Sequence, residues 1–298
     1  MKKFLLRLAL FIVLVAIADW GYGLVFERLM SRTRGGEMLK AYEVEHVVTP
    51  DILVLGSSRS THHYDPQILE DSLGGSVYVA GKDGMGVVAM YPRYDIVASR
   101  RVPRVVILDI TQFDFAGDNL ENYLADSRPL WGRSAVADSV ILAIDPTERI
   151  KLMSRGFRRN SSLFALAKGL LSADTLRQGY DPIYGINHGQ PAVEATGGKV
   201  EMSAEKRRIL TNMAARVRRD GAEFIIVQSP NYQHLDPEYS VTIRRIADEA
   251  GVPFIDLGDA AGFAGADSLW ADVTHLNYRG AEEFSRRLGH ILRAQMAR

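Results

Sequence analysis

The sequence predicts an α/β protein built around a mainly parallel sheet. Short runs rich in β-branched apolar residues recur along the chain, as fully buried strands do, and amphipathic helical patterns lie between them. Two of these helical patterns end at Gly221 and Gly251, and glycine is common just after a helix. Because parallel neighbours need a crossover between them, this alternation favours a parallel sheet covered by helices.

The composition is that of an ordinary globular protein with room for one sizeable core. The 298 residues are 47% hydrophobic and 24% charged, and 36 Lys and Arg balance 36 Asp and Glu. With no net charge, the chain lacks the positive field with which nucleic-acid-binding proteins contact phosphates. It contains no Cys, which excludes disulfide frameworks, Cys-ligated metal centres and thiol catalysis.

The N-terminus has the features of an export signal. Lys2-Lys3 precedes an apolar run from Phe4 to Ala18 that contains a single charge. A span of about 20 residues matches the hydrocarbon core of a bilayer, and Trp20 and Tyr22 follow where interfacial aromatic residues belong. We predict a retained anchor over residues 1–29. The alternatives are a signal peptide cleaved at Ala16-Ile17-Ala18 and a buried core helix.

The body of the chain is predicted to span residues 51–298, after a polar and partly helical linker over residues 30–50. Its predicted strands are short and apolar: Ile52–Leu55, Val77–Ala80, Val105–Leu108, Phe224–Val227 and Pro253–Leu257. Its predicted helices have amphipathic spacing: Pro66–Leu73, Gly86–Arg101, Ala204–Arg219, Pro237–Ala250 and Tyr278–Met296.

An insertion of about residues 115–200 interrupts this alternation between the third and fourth predicted strands. It is rich in turns around residues 180–191 and has no set of strands of its own. Insertions over strand ends are more often lids or substrate platforms than second domains. We therefore predict a lid-like insertion within one domain.

The first predicted strand leads into Gly56-Ser57-Ser58-Arg59. A hydroxyl at this point lies at the carboxyl edge of the sheet, beside the free N–H groups of a helix start. Ser58 is therefore a candidate nucleophile, although a serine after a strand is also a common turn residue or helix cap.

The last predicted helix is preceded by Asp272-Val273-Thr274-His275. A serine attacks an ester only when a base takes its proton, and a neutral His held by a carboxylate is the usual base. His275 is the candidate base and Asp272 the residue that orients it. The simpler interpretation of this segment alone is an exposed loop His with Asp272 as a helix cap.

Together these two segments resemble the SGNH (GDSL-type) hydrolase superfamily, whose nucleophile follows Gly-Asp after the first strand and whose D-x-x-H segment precedes the last helix. Gly56-Ser57-Ser58 corresponds to the first block, with Ser57 in the Asp position, and residues 272–275 correspond to the last. The resemblance covers residues 51–115 and 203–298. It implies a flavodoxin-like three-layer α/β/α SGNH-hydrolase fold, with a covalent intermediate on Ser58.

The family's second block, N-x-G-x-x-G, corresponds to residues 79–84, with Val79 in place of Asn. The resemblance gives Gly81 the tight turn, and it makes the backbone N–H groups of Gly84 and Ser58 the donors to the oxyanion.

The third block, G-x-N-D, departs from the family. By register its Asn falls on Phe113 and its Asp on Asp114, so the side-chain amide donor is missing. Gln112 and Asn119 are the candidates to replace it. Loss of one oxyanion donor costs about 100- to 1,000-fold in rate, so this departure implies a slower, more specialised enzyme or a compensation elsewhere.

A narrower resemblance is to membrane-tethered SGNH-like proteins of bacterial envelopes, such as the D-alanyl transfer protein of teichoic acid modification and alginate acetylation proteins. The anchor, residues 56–66 and residues 81–84 carry it, together with the late D-x-x-H. It implies a single-pass protein of the bacterial inner (cytoplasmic) membrane with an extracytoplasmic catalytic domain. The implied substrate is an acyl ester of an envelope glycan or related polymer, and the implied partner is a membrane-bound O-acyltransferase. Ser-His-Asp chemistry supplies its own nucleophile and acid, so no cofactor or metal is expected.

Three points stay open at this stage. Arg59 is a candidate to bind an anionic group of the substrate, or to form an ion pair with Asp83 or Asp114. The departures at Ser57 and Phe113 also favour a non-catalytic scaffold that binds a glycan or an acyltransferase. A secreted lipase or esterase is the third candidate function, after the membrane-anchored enzyme and the scaffold.

Overall fold

The computed structural model describes residues 1–115, 120–172, 176–188 and 200–296. The chain divides into an N-terminal unit, Met1–His46 with Leu120–Asp174, and a sheet unit, Val47–Asn119 with Thr175–Arg298. The strands are β1 Ile52–Leu55, β2 Val77–Val79, β3 Val105–Asp109, β4 Glu223–Gln228 and β5 Phe254–Asp256. The α-helices are α1 Lys2–Met30, α2 Gly36–His46, α3 Ser58–His63, α4 Pro66–Leu73, α5 Val87–Arg100, α6 Leu120–Ser127, α7 Ala135–Ile144, α8 Glu148–Lys151, α9 Arg155–Arg159, α10 Leu163–Leu171, α11 Ala204–Arg219, α12 Pro237–Ala250 and α13 Tyr278–Met296. Short 3-10 helices cover Gln112–Phe115, Arg128–Leu130, Asn160–Ser162 and Asp267–Leu269.

The sheet unit is built on five parallel strands in the order β2-β1-β3-β4-β5. This is the flavodoxin-like order, in which the chain reverses direction across the sheet between β1 and β3. The predicted α/β class with a mainly parallel sheet is confirmed. Such a sheet gathers the carboxyl ends of its strands along one edge, where ligands usually bind.

Successive side chains of each strand point to opposite faces of the sheet. Ile52 and Val54 of β1 belong to the same buried cluster as Phe284 and Leu288 of α13. Contacts among the helices divide them between the faces: α4 packs with α13, while α11 packs with α5 and α12. Both faces are thereby covered, which explains why the strands are apolar throughout rather than alternating.

Local sequence accounts for the ends of several helices. The Asp65 carboxylate accepts hydrogen bonds from the N–H groups of Gln67 (3.0 Å) and Ile68 (3.3 Å), and Pro66 occupies the first turn of α4. Gly251 adopts the left-handed conformation at the end of α12. These local signals explain why the predicted bounds of α4 and α12 match the structure.

The N-terminal unit contains α1, the one helix among the described residues that is long and apolar enough to cross a membrane. Its apolar window is almost wholly exposed, which excludes a core helix, while an anchor and a signal sequence both fit. Beyond that window, Phe26 and Met30 are buried in a cluster with Met38 of α2 and Leu166 of α10. The polar end of α1 is therefore part of a folded unit.

The predicted linker contains a helix, as its partly helical pattern indicated, and the predicted insertion is divided between the two units. Within the predicted linker, α2 spans Gly36–His46, and the backbone N–H of Arg34 donates to the carbonyl of Gly169 at 3.0 Å. Residues 120–174 of the predicted insertion belong to the N-terminal unit, whereas residues 175–200 belong to the sheet unit. A lid role for the insertion stays a prediction.

We predict that Gly280→Ala destabilises the sheet unit. A Cβ atom at position 280 would overlap the carbonyl oxygen of Leu269 and come within 2.8 Å of Leu276 Cδ2. Backbone cannot yield as a flexible side chain does, so we expect the free energy of unfolding in urea to fall by about 1–3 kcal/mol. The exposed control Arg286→Ala should change it by less than about 0.5 kcal/mol. Equal effects of the two substitutions would contradict this packing argument.

Candidate active site

Ser58 opens α3 directly after β1, and Gly56 makes this sharp entry feasible. Gly56 has a φ of +146°, and a Cβ there would lie 2.9 Å from the carbonyl oxygen of Asp109 and 3.0 Å from Ser60 Cβ. Only glycine fits both the backbone conformation and the space. As the first residue of a helix, Ser58 has a backbone N–H without a partner inside that helix.

The structure brings Ser58, His275 and Asp272 into one hydrogen-bonded chain. Ser58 Oγ lies 2.8 Å from His275 Nε2, and His275 Nδ1 lies 2.9 Å from Asp272 Oδ2. In the tautomer that satisfies both contacts, Nδ1–H donates to the carboxylate and Nε2 accepts from the hydroxyl. This arrangement matches a nucleophile, a general base and an orienting acid.

Asp272 is held in its ionised form by the loop that carries it. Burial raises the pKa of its carboxyl, but the His275 ring and the backbone N–H groups of Thr274 (2.7 Å) and His275 (2.8 Å) together bring the pKa below its usual value. A carboxylate charged at neutral pH stabilises the imidazolium that forms when His275 takes a proton.

His63 lies directly behind the candidate base. It is fully buried, and its Nε2 accepts a 3.0 Å hydrogen bond from the N–H of Leu276, next to His275. Burial, reinforced by the nearby Arg59 charge, keeps the pKa of His63 well below its usual value, so the ring is neutral. Sequence reasoning did not identify this positioning role for a buried histidine.

Asn277 is a second residue that sequence reasoning missed. Its Oδ1 accepts from the N–H groups of Arg279 (3.0 Å) and Gly280 (3.1 Å), while its Nδ2 donates to the carbonyls of Gly185 (2.8 Å) and Ser268 (2.9 Å). This fully buried side chain caps α13 and anchors the loop that carries His275. Asn immediately before an amphipathic helix was the available signal.

Arg59 does not face a substrate, which corrects the first expectation for it. Its side chain is buried, and its guanidinium donates to Asn231 Oδ1 at 2.6 Å and to the carbonyls of Ser229 and Pro230. Those groups belong to the loop after β4, so Arg59 fixes that loop to α3.

The expected ion pairs of Arg59 are also wrong, because both acids have other partners. Asp83 lies 3.5 Å from His62 Nε2. The buried Asp114 accepts hydrogen bonds from the N–H groups of Val87 (3.0 Å) and Thr111 (2.9 Å), which ties α5 to the end of β3. Burial raises the pKa of Asp114.

Gly81 lies against the start of α3, as the tight turn requires. A Cβ there would overlap Ser60 Oγ and lie 3.0 Å from the carbonyl oxygen of Gly56. Gly84 has a φ of +70°, a left-handed turn conformation. Its backbone N–H stays a predicted oxyanion donor.

The missing amide donor is not replaced in a simple way. Gln112 lies beside Arg59, whose Nη1 is 3.5 Å from Gln112 Oε1. The other candidate, Asn119, lies outside the described residues. An oxyanion role for Gln112 therefore stays a prediction.

His62 connects the Gly81–Gly84 turn to the candidate base. Its ring stands edge-on to that of His275, with centroids 5.3 Å apart, and its Nδ1 donates to the carbonyl of Asp181 at 2.6 Å. Burial lowers the pKa of His62, but Asp83 and the Asp181 carbonyl outweigh it and leave the pKa raised. An imidazole with a raised pKa thus stands beside His275.

The sheet order, the serine after β1 and the histidine before the last helix agree with the resemblance drawn from the motifs. The chain has a flavodoxin-like α/β/α fold with five parallel strands. Among the residues that the structure describes, no group of three or more His, Asp or Glu could hold a metal ion.

No family model and no curated protein matches this sequence. Several solved structures do. A lipolytic protein of the G-D-S-L family, so described, from Desulfitobacterium hafniense DCB-2 is 11% identical, with 80% of this chain and 98% of that chain covered at a TM-score of 0.43. A lipase/acylhydrolase from Enterococcus faecalis is 12% identical, with 82% and 96% covered at 0.42. A catalytic mutant of an acetylxylan esterase from Geobacillus stearothermophilus is 12% identical, with 81% and 92% covered at 0.41. At such identities and TM-scores, only this chain's own residues can indicate its activity.

We predict that Asp83→Asn lowers the pKa of His62, because it removes the carboxylate paired with the ring. The titration of His62, followed by NMR of its ring nitrogens, should move to lower pH. A raised His pKa contributes stability below the unfolded pKa of about 6.5 and loses it as pH rises through the folded value. Asp83→Asn should therefore destabilise the protein more at about pH 5.5 than at about pH 9.

The matched control for Asp83→Asn is Glu249→Gln, an exposed acid of the sheet unit paired with Arg245 at 3.7 Å. It should leave the His62 titration unchanged and shift stability equally at both pH values. A His62 titration unaffected by Asp83→Asn would overturn the assignment of this pair.

Proposed function

We propose that this protein is a membrane-anchored, extracytoplasmic SGNH-type esterase or acyltransferase that acts on acyl esters of a cell-envelope glycan or related polymer. The observation that carries the proposal is the chain from Ser58 Oγ through His275 to Asp272, with both links between 2.8 and 2.9 Å. Both distances fall within the range of about 2.6–3.2 Å in which a nucleophile and its base exchange a proton.

The geometry supports a two-step acyl transfer. His275 Nε2 takes the Ser58 hydroxyl proton as Oγ attacks the ester carbonyl, and the resulting oxyanion accepts hydrogen bonds from the N–H groups of Ser58 and Gly84. Collapse breaks the bond to the leaving alcohol, which receives the proton from His275. The acyl group on Ser58 then passes to water, giving hydrolysis, or to an acceptor hydroxyl, giving transfer, with His275 as base.

The anchor supports a location at the membrane surface. With 29 residues, α1 is about 43 Å long at 1.5 Å per residue, enough to span a hydrocarbon core of about 30 Å. Lys2 and Lys3 precede the apolar run, which favours a cytoplasmic N-terminus and an inner-membrane, single-pass topology. The polymer substrate and a membrane-bound O-acyltransferase as partner rest on the resemblance to envelope acylation proteins.

A second candidate function is a non-catalytic scaffold that binds a glycan or the acyltransferase. The observation in its favour is the third block, where Phe113 stands in the place of the amide donor and the side-chain Oε1 of Gln112 faces Arg59. A scaffold would retain binding without turning over any ester.

We predict a single covalent adduct when the full chain is exposed to a fluorophosphonate and analysed by intact-mass spectrometry. Ser58→Ala and His275→Ala should abolish it, because one removes the nucleophile and the other its base. Asp272→Asn should slow adduct formation by about 1,000-fold or more. The reason is that His275 would no longer be held in the tautomer whose Nε2 accepts the Ser58 proton. The control Ser57→Ala, one residue away, should react like the parent.

An adduct that persists in Ser58→Ala would overturn the assigned nucleophile. Absence of any adduct, together with no turnover of small acyl esters and intact glycan binding, would favour the scaffold instead.

We predict that residues after the anchor face the extracytoplasmic side. Because the chain has no native Cys, a single Glu249→Cys substitution should react with a membrane-impermeant maleimide in intact spheroplasts, whereas a cysteine inserted after Met1 should react only after lysis. Equal reaction of both before lysis would contradict a single-pass anchor, and recovery of the protein in the soluble fraction would indicate signal cleavage.

A further inference from the structure

A cationic cavity of about 260 Å³ opens within the N-terminal unit, beside the polar end of α1. Its volume approaches the lower end of ligand-site volumes, about 300 to 1,000 Å³. Its charged lining consists of Glu27 from α1 and four arginines, Arg133, Arg155, Arg158 and Arg159. We call this cavity the arginine pocket.

Two of the four arginines are neutralised by carboxylates. Arg159 donates to Glu27 at 2.9 Å and to Glu45 at 2.7 Å, and Arg133 donates to the same two carboxylates, at 2.9 Å each. His46 also lies 3.3 Å from Glu27. The carboxylates of Glu27 and Glu45 are therefore already paired with these two arginines.

The other two arginines have no such partner. Among the described residues, no carboxylate lies within salt-bridge distance of Arg155 or Arg158. The nearby Asp19 and Asp138 instead accept hydrogen bonds from backbone N–H groups. Arg158 Nε donates to the carbonyl of Leu152 at 2.6 Å. Partial burial and the neighbouring positive charges of Arg155 and Arg133 lower the pKa of Arg158. A bound anion would offset the repulsion among these positive charges.

The pocket is fixed to α1 by specific contacts. Asp19 accepts from Ser154 Oγ (2.6 Å) and from the backbone N–H groups of Arg155 (2.8 Å) and Gly156 (2.9 Å), which holds the start of α9 against α1. Gly23 leaves room for the Arg155 side chain, because a Cβ there would lie 2.6 Å from Arg155 Cδ. The arginines are therefore set at a defined level along the helix.

The membrane-proximal edge of the pocket, at Gly23, lies at the level of the headgroups of a bilayer. The apolar run ends at Ala18, and Gly23 and Glu27 lie about 6 and 12 Å beyond Asp19 along the helix axis. The headgroup layer extends about 5–7 Å beyond the hydrocarbon core on each side. Trp20 lies between the end of the apolar run and Gly23, where interfacial aromatic residues belong. Its ring is 6.0 Å from the Arg155 guanidinium.

We propose that the arginine pocket binds the phosphate of an anionic phospholipid headgroup, with Arg155 and Arg158 as its principal contacts. This inference rests on the proposed anchoring by α1 and not on the chemistry at Ser58. Guanidinium groups match phosphate oxygens in bidentate geometry. A zwitterionic choline headgroup would bring its own positive charge against the same arginines and is disfavoured.

The test is native mass spectrometry of the full chain in a neutral detergent, titrated with phosphatidylglycerol, phosphatidylcholine or inorganic phosphate. The parent should retain phosphatidylglycerol at least tenfold more tightly than phosphatidylcholine. The double variant Arg155→Gln/Arg158→Gln should lose at least tenfold in affinity for phosphatidylglycerol. The control double variant Arg149→Gln/Lys168→Gln, which removes two exposed charges from the same unit, should bind like the parent.

Three outcomes would overturn the proposal: equal losses in the two double variants, no preference between the two lipids, or inorganic phosphate competing at the affinity of the lipid. If the double variant has a lowered melting temperature, the single Arg155→Gln, at an exposed side chain, should still weaken phosphatidylglycerol binding at least threefold. The fluorophosphonate adduct at Ser58 should be unchanged in every variant, so a failure of this site and a failure of the proposed enzyme are separate results.

Discussion

The guanidinium of Arg59, buried one residue after Ser58, constrains the carboxyl edge of the sheet. A buried cation is stable only when its N–H groups are hydrogen-bonded. Most of the hydrogen bonds of Arg59 go to the loop after β4, to the Asn231 side chain and to two backbone carbonyls. Asp109 at the end of β3 is the nearby carboxylate; burial raises its pKa to about 6, while the Arg59 charge and Ser229 pull it down. Three strands, β1, β3 and β4, are thus tied together immediately behind the hydroxyl that we propose as nucleophile.

At that edge, the imidazole rings of His62 and His63 lie beside His275 and have different roles. His63 is buried and neutral and supports the backbone beside His275, whereas His62 has a raised pKa and pairs with Asp83. Neighbouring titratable groups whose environments push their pKa values apart are typical of acid-base sites. The pKa values of the two adjacent histidines of α3 are therefore shifted in opposite directions, because one faces the core and the other faces the turn that holds Gly84.

The parts of this protein that were predictable from sequence are those governed by local signals. The bounds of α4, α11, α12 and α13 agree with the amphipathic patterns, and Asp65, Pro66 and Gly251 mark helix ends. The Ser58 and His275 segments were predictable because each lies where a strand or helix begins or ends. The partners of Arg59 were not, because they come from residues about 170 positions away. Nor was the association of residues 120–174 with the N-terminal helices, because apolar patterns do not specify which neighbour covers them.

The continuity of α1 has a mechanical consequence. The helix runs from Lys2 to Met30 without a break, and its last turns are packed inside the N-terminal unit against α2 and α10. Because this end is packed in the unit and the helix is continuous, any tilt of the apolar part of α1 rotates the N-terminal unit by the same angle. Helices longer than the local hydrocarbon thickness tilt to compensate. In the anchored protein that we propose, bilayer thickness would therefore set the tilt of the N-terminal unit relative to the membrane plane.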